Sequence, residues 1–171
     1  MSRIETNRLV LRRPVPGDID AFMAYAGSQR FRDERGAQTT PWKWSYFAGL
    51  IGHWEMRGFG RFVVEDRATG ALIGHMGPLF PEGWPEREIA WCLWTDAVEG
   101  TGRAFEGASA ILRHVFAELG WTTAVSYILA DNTRSRSLAN RLGATPDPAA
   151  ESLPYDPAPM VYRHDRTRWL T

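Results

Sequence analysis

Residues 88–119 place the strongest constraint on what this chain can fold into. They read EIAWCLWTDAVEGTGRAFEGASAILRHVFAEL. Glu88–Trp94 is short, apolar and aromatic, which predicts a buried strand. Glu99-Gly100-Thr101-Gly102-Arg103-Ala104 follows as a tight glycine turn. Ala104, Ala108, Ile111, Leu112, Val115, Phe116 and Leu119 then recur near the 3.6-residue helical period, and Gly120 supplies a stop. A glycine turn into a helix start leaves backbone N–H groups unpartnered at the positive end of the helix dipole. Such a turn is an anion site, and pyrophosphate fits it.

The kind of phosphate ligand depends on the residues around the glycines. A dinucleotide fingerprint, G-x-G-x-x-G/A, would need a small residue at position 105. Phe105 stands there instead, too large for the close helix–strand packing that fingerprint requires. No Gly-Lys-Ser/Thr follows, so a Walker A loop is absent. Glu99-x-x-Gly102-x-Ala104 resembles the acyl-CoA loop Q/R-x-x-G-x-G/A of the GNAT acetyltransferases, with Glu in place of Gln or Arg. Downstream, an apolar strand at 124–130 leads into Asn132-Thr133-Arg134-Ser135 and a helix ending Arg141-Leu142-Gly143-Ala144. This is similar to the superfamily's N-x-x-S-x-x-x-x-E-K-L-G-F segment. Asn132, Ser135, Leu142 and Gly143 are in register, while Asn140 replaces Glu and Ala144 replaces Phe. With the opening Glu5-Thr6-Asn7-Arg8-Leu9-Val10-Leu11-Arg12, the chain resembles the RimJ/RimL-like branch over nearly its whole length.

The resemblance implies an α+β GNAT fold. Its mixed, mostly antiparallel central sheet would have about six to seven strands, flanked by helices, with a splayed central strand pair. One domain is expected over 1–171, since no repeat or low-complexity linker divides the chain. The 171 residues suffice for one real core, and Lys+Arg and Asp+Glu balance at 20 each. That neutrality argues against a general nucleic-acid binder. No apolar run spans a bilayer, and no signal-peptide core opens the chain. The lone Cys92 forms no internal disulfide and reads as a packing thiol. A cytoplasmic protein, monomer or homodimer, is expected. No His/Cys/Asp/Glu set has metal-ligand spacing, so no metal is predicted.

In order along the chain, 8–13 alternates as a strand, and Asp18 is placed to cap a first helix. Segment 29–40 has no clear period and reads as loop or short irregular helix. Pro41 opens a second helix bearing Trp44, Phe47, Leu50, Ile51 and Trp54, with Trp44 and Trp54 expected in the core. Segments 61–66 and 71–79 form a hairpin that Pro78 and Pro81 should end. His75 reads as a satisfied core or rim histidine. Segment 145–159 is rich in Pro and reads as loop rather than a strand pair. Residues 160–164 read as a last strand.

The activity implied by the resemblance is acetyl transfer from acetyl-CoA to an amine. Gly100, Thr101, Gly102, Arg103 and Ala104, with Glu99, would hold the pyrophosphate. The backbone of Cys92, Leu93 and Trp94 would pair with pantetheine. Asn132 would cap its helix and reach the same arm. Arg134, Arg136 and Arg141 are further candidates for the phosphates. Glu88 is the first choice of general base and Glu86 the second. Ser135 would serve the leaving thiolate. Trp42, Tyr46, Trp84 and Glu86 are candidate acceptor contacts. An acyl-CoA-binding module without turnover is the alternative, supported by Glu99 and by the unusual C-terminal loop.

Overall fold

Leu9, Val10 and Leu11 are all buried in β2, Leu9–Arg12, as a strand covered on both faces requires. The computed structural model describes residues 3–170. Its strands join in one sheet of order β1-β2-β3-β4-β5-β6-β8-β7. The remaining strands are β1 Arg3–Glu5, β3 Phe62–Asp66, β4 Leu72–Leu79, β5 Glu88–Leu93, β6 Val125–Ile128, β7 Thr145–Pro146 and β8 Met160–Arg163. Eight strands replace the expected six to seven, because β1 and β7 are too short to carry a period. All neighbours are antiparallel except β5 and β6.

The helices cover both faces. α4, Arg103–Arg113, continues through a wider turn at His114–Glu118. Its Ala108, Ile111 and Leu112 pack with Leu9, Leu11, Phe62, Val64, Met76 and Ile89. Side chains buried to this degree contribute about 1.5–3 kcal/mol each. On the other face lie α1, Ile19–Ala26, α2, Gln29–Arg35, and α3, Thr40–Arg57. Phe22, Phe31, Phe47, Leu50, Val63 and Trp94 form that second core. α5, Thr133–Arg141, follows β6.

Several local expectations change. Asp18 does not cap α1 with its side chain; its carboxylate takes Arg12 at 2.8 and 2.9 Å and the Val15 N–H at 2.9 Å. Segment 29–35 is a regular helix, because Ser28 caps it from the Phe31 N–H and Phe31 is fully buried. Trp44 is 60% exposed; helical spacing selects a face but not how far along the helix the core reaches. Pro78 lies inside β4, opposite Ile89. It sits past the end of the β3 register, so its missing N–H breaks no ladder bond there. The first residues of segment 145–159 do pair, with β8, and Arg163 binds Asp147 at 2.6 Å.

The parallel pair β5–β6 registers only at Glu88↔Val125 and then opens. Ser126 holds the root of this fork. Its hydroxyl donates to Ile89 O at 2.6 Å, so the 2.9 Å contact with His164 Nε2 must be a bond donated by histidine. Burial lowers the His164 pKa to about 4, so the ring is neutral and carries its proton on Nε2.

Candidate active site

The turn that opens α4 is built as an anion cradle. Gly100 and Gly102 have φ of +69° and +83°, the left-handed region that glycine tolerates best. The first helical bond runs from Glu106 N–H to Gly102 O at 3.0 Å. The N–H groups of Gly102, Arg103, Ala104 and Phe105 precede it and lack intrahelical partners. The N-terminal segment braces the turn. Arg8 donates to Thr101 O at 2.8 Å, and the Glu106 carboxylate accepts from Thr6 Oγ1, Arg8 N and Arg8 Nε. Thr6 and Arg8, part of the opening motif, thus secure the loop. Phe105 is half-buried against the core under the Arg141 guanidinium, 4.8 Å from the ring centroid.

Charged side chains around the cradle are already committed. Arg103 pairs with Asp66 at 2.6 Å, so its contribution to the cradle is its N–H. Arg136 donates to Tyr162 Oη and Ala130 O. Glu99 accepts from Arg30 at 2.6 Å and from Arg134 at 2.6 and 2.7 Å. Burial alone would raise the Glu99 pKa; the bonds from Arg30 and Arg134 more than offset this and hold it below the ordinary range.

The fork lies beside the cradle. Backbone groups alternate along an antiparallel ladder, and Trp94 N–H donates to Ile73 O at 2.8 Å. Cys92 shares that parity, so Cys92 and Trp94 spend their backbone groups on β4. The open edge belongs to Trp91 and Leu93. Of the three residues expected there, only Leu93 faces it, and its carbonyl already accepts from Arg30 Nε at 2.8 Å. Trp91 was not foreseen, because the strand's period gives its faces but not which edge is unpaired. Trp91 Nε1 crosses the fork to Ser135 Oγ at 3.2 Å. Ser135 therefore accepts with its oxygen and keeps its proton to donate. Asn132 caps α5, its Oδ1 accepting from Ser135 N–H at 3.0 Å.

Glu88 sits at the root of the fork, buried, with Oε2 lacking any partner among the described residues. Desolvation pushes its pKa up to about 8, against the opposing pull of Arg61, the Tyr127 N–H and Arg35. Glu86, in contrast, is gripped by Arg163 at 2.7 and 2.8 Å, and that bonding lowers its pKa. It is the weaker base of the two. The buried Tyr127 hydroxyl also lacks a partner among the described residues, and Trp84 packs edge-on against its ring at 5.6 Å. Tyr46, with Trp42 stacked on it at 5.4 Å, meets Arg61 and His75. Cys92 Sγ lies 3.1 Å from Tyr25 Oη. Burial and then the Glu34 charge push its pKa up, which keeps it a thiol and a poor nucleophile.

A glycine cradle, a forked parallel strand pair and a helix-borne serine facing the fork form one continuous site. The model of the acetyltransferase (GNAT) domain matches residues 8–145. The chain belongs to the GNAT acetyltransferase family. An acetyltransferase of Agrobacterium tumefaciens is 31% identical, with 96% of this chain and 95% of that one covered and a TM-score of 0.86. A Bordetella pertussis structure assigned to the same family is 26% identical, covering 96% and 100%, with a TM-score of 0.81. The ribosomal-protein-S5-alanine acetyltransferase of Vibrio fischeri shares the fold at 14% identity, covering 98% of both chains, with a TM-score of 0.72. GNAT domains use acetyl-CoA as co-substrate, and acetyl transfer is their general activity. The cradle, with its row of backbone donors, fits a pyrophosphate. No helix among the described residues is long and apolar enough to cross a membrane.

Proposed function

We propose that this GNAT domain moves the acetyl group of acetyl-CoA to a primary amine by direct attack on the thioester, with both substrates bound together. The observation that carries this is Glu88, a buried carboxyl with an unpartnered oxygen at the root of the β5–β6 fork. The N–H groups of Gly102, Arg103 and Ala104 receive the pyrophosphate. Trp91 and Leu93 offer the open strand edge to the pantetheine amides. Holding two reactants in register supplies several kcal/mol, up to about 7–11 in favourable cases. Glu88 takes a proton from the incoming ammonium, whose pKa is about 8 for an α-amine and about 10.4 for a lysine. A base near pH 8 is well matched to that task. The Ser135 hydroxyl donates to the departing thiolate and relays to it the second proton that the attacking nitrogen loses, so the serine ends the step as a hydroxyl.

The resemblance of the opening segment 5–12 supports reading the chain as a relative of the RimJ/RimL-like branch, and the proposal includes a single domain over 1–171, a cytoplasmic location and a monomer or homodimer. A second reading, acyl-CoA sensing without turnover, is favoured by Glu99 alone. Calorimetric titration with acetyl-CoA, followed by thiol release on adding primary amines, decides. Micromolar binding with amine-dependent thiol release supports transfer. Binding without release across the amine panel favours sensing. Absence of binding overturns both.

Two substitutions probe the assigned roles. Ser135→Ala lowers kcat by about 10²-fold or more, within the range for a lost proton donor, while acetyl-CoA affinity holds within about 2-fold. An equal fall in affinity would make Ser135 a binding residue. Glu99→Gln removes the carboxylate that now occupies Arg30 and Arg134. With two guanidiniums released beside the cradle, acetyl-CoA should bind about 3–10-fold tighter at low salt, and less so at high salt. Weaker binding in calorimetry would show that Glu99 shapes the loop.

A further inference from the structure

We infer that the acceptor is a small amine that also carries a carboxylate or similar oxyanion, received by Arg61, Arg35 and the Tyr46 hydroxyl. This deepens, and rests on, the amine-acetylation reading. Most other half-buried arginines meet carboxylates, among them Arg12 with Asp18, Arg30 with Glu99, Arg103 with Asp66 and Arg163 with Glu86; Arg136 instead donates to Tyr162 Oη and Ala130 O. Arg61 is also withdrawn from solvent, yet its side-chain bond goes to the neutral Tyr46 hydroxyl. Among the described residues no carboxylate lies within ion-pair distance of Arg61 or Arg35. Glu34, next to Arg35 in sequence, is bonded instead to the Tyr25 hydroxyl and Arg30.

The hydrogen-bond directions at Tyr46 follow from donor chemistry. Trp94 Nε1 can only donate, and it lies 2.8 Å from His75 Nδ1. The neutral His75 ring therefore carries its proton on Nε2 and donates it to Tyr46 Oη at 3.2 Å. Arg61 Nη1 donates to the same oxygen at 2.8 Å. Tyr46 Oη accepts twice, so its own proton is left over, with no acceptor among the described residues. That proton, the remaining N–H groups of Arg61 and the Arg35 guanidinium, stacked 4.9 Å above the Tyr46 ring, form a set of donors without an acceptor. Trp42, stacked on Tyr46 and 38% exposed, adds an aromatic wall.

The same two arginines are the charges that reach Glu88. An amine seated at Glu88 would thus lie within the field of two cations. A free amine gains nothing from them; an amino acid, whose two ends differ in sign, matches both. Neutralising Arg61 and Arg35 with a bound carboxylate also lifts their pull on Glu88 and strengthens it as a base.

The test is calorimetry on the CoA-saturated protein with matched pairs of N-acetyl-L-amino acids and their carboxamides. For at least one side chain the acid should bind about 10-fold or more tighter than its carboxamide. Arg61→Gln and the exposed Arg35→Gln should each shrink that ratio, with acetyl-CoA affinity unchanged. No acid preference in any pair, or a preference that survives both substitutions, overturns the inference. Thiol release with the parent amino acids is read separately. Acid-selective binding without release overturns the transfer reading alone. Release that is equally fast with carboxamides, or confined to peptide amines, overturns the small anionic acceptor and leaves transfer standing.

Discussion

Glu88→Gln should lower kcat/KM for amine acetylation by about 10²–10⁴-fold, the usual contribution of a general base, with acetyl-CoA affinity held. Below its pKa of about 8 the wild-type Glu88 carries a proton and cannot accept another. The wild-type rate should therefore rise with pH and bend near pH 8, and the Gln variant should lack that bend. Stability should move the other way. The folded-state pKa lies above the ordinary value of 4.5, so the native protein binds the extra proton between pH 4.5 and about 8. Glu88 therefore costs stability progressively as pH rises through that window, and the cost is complete above it. Glutamine carries no charge to desolvate. Glu88→Gln should melt close to wild type near pH 5 and several degrees higher near pH 9, a difference of roughly a few kcal/mol. A pH-independent difference in melting would remove the buried charge from the explanation, and an undiminished rate would remove the base.

The largest effect on folding is expected from Gly74→Ala. A Cβ there would stand 2.3 Å from Cys92 O and 3.2 Å from Leu93 Cα. Both neighbours are backbone of the adjacent central strand, so neither can rotate away. Overpacking costs typically about 1–3 kcal/mol, and a clash against paired backbone belongs at or above the top of that range. A loss of about 3 kcal/mol would lower Tm by roughly 6–12 °C in a chain of this size. Because β4–β5 orients the open edge of Trp91 and Leu93, acetyl-CoA binding should weaken as well. Gly49→Ala in α3 is the control: nothing lies within 4 Å of the added methyl, and helix propensity favours alanine by about 1 kcal/mol. Equal melting of Gly74→Ala and wild type would show that the strands can separate without cost.

Much of this was legible because it is local. The glycine turn announces itself through two left-handed positions that favour glycine, and α4 through its apolar period. Asn132 could be read as a cap and Ser135 as a first-turn hydroxyl from sequence distance alone, while their roles at the site came from the resemblance to the GNAT motif. Glu88 could be chosen as the carboxylate that opens the central strand, but not recognised as buried. What escaped depends on contacts between segments far apart. β1 and β7 exist only because longer strands present edges to them. Arg30 and Arg35 on α2, Arg61 before β3, Trp91 on β5 and Tyr127 on β6 reach the site from four different segments, and no spacing rule relates those segments.

By itself, then, the sequence determined the order of strand, cradle and helix and the anion-binding character of the cradle, since each rests on backbone preferences over a few residues; the α+β class and acyl-CoA followed from the resemblance of its motifs to the GNAT family. Tertiary structure alone decided which strand edge is open, which arginines are spent on carboxylates and which are spare, and that Glu88 loses its water. Alternation fixes the faces of a strand but not its neighbours, and a charge's pKa and partners are set by whatever the fold brings around it.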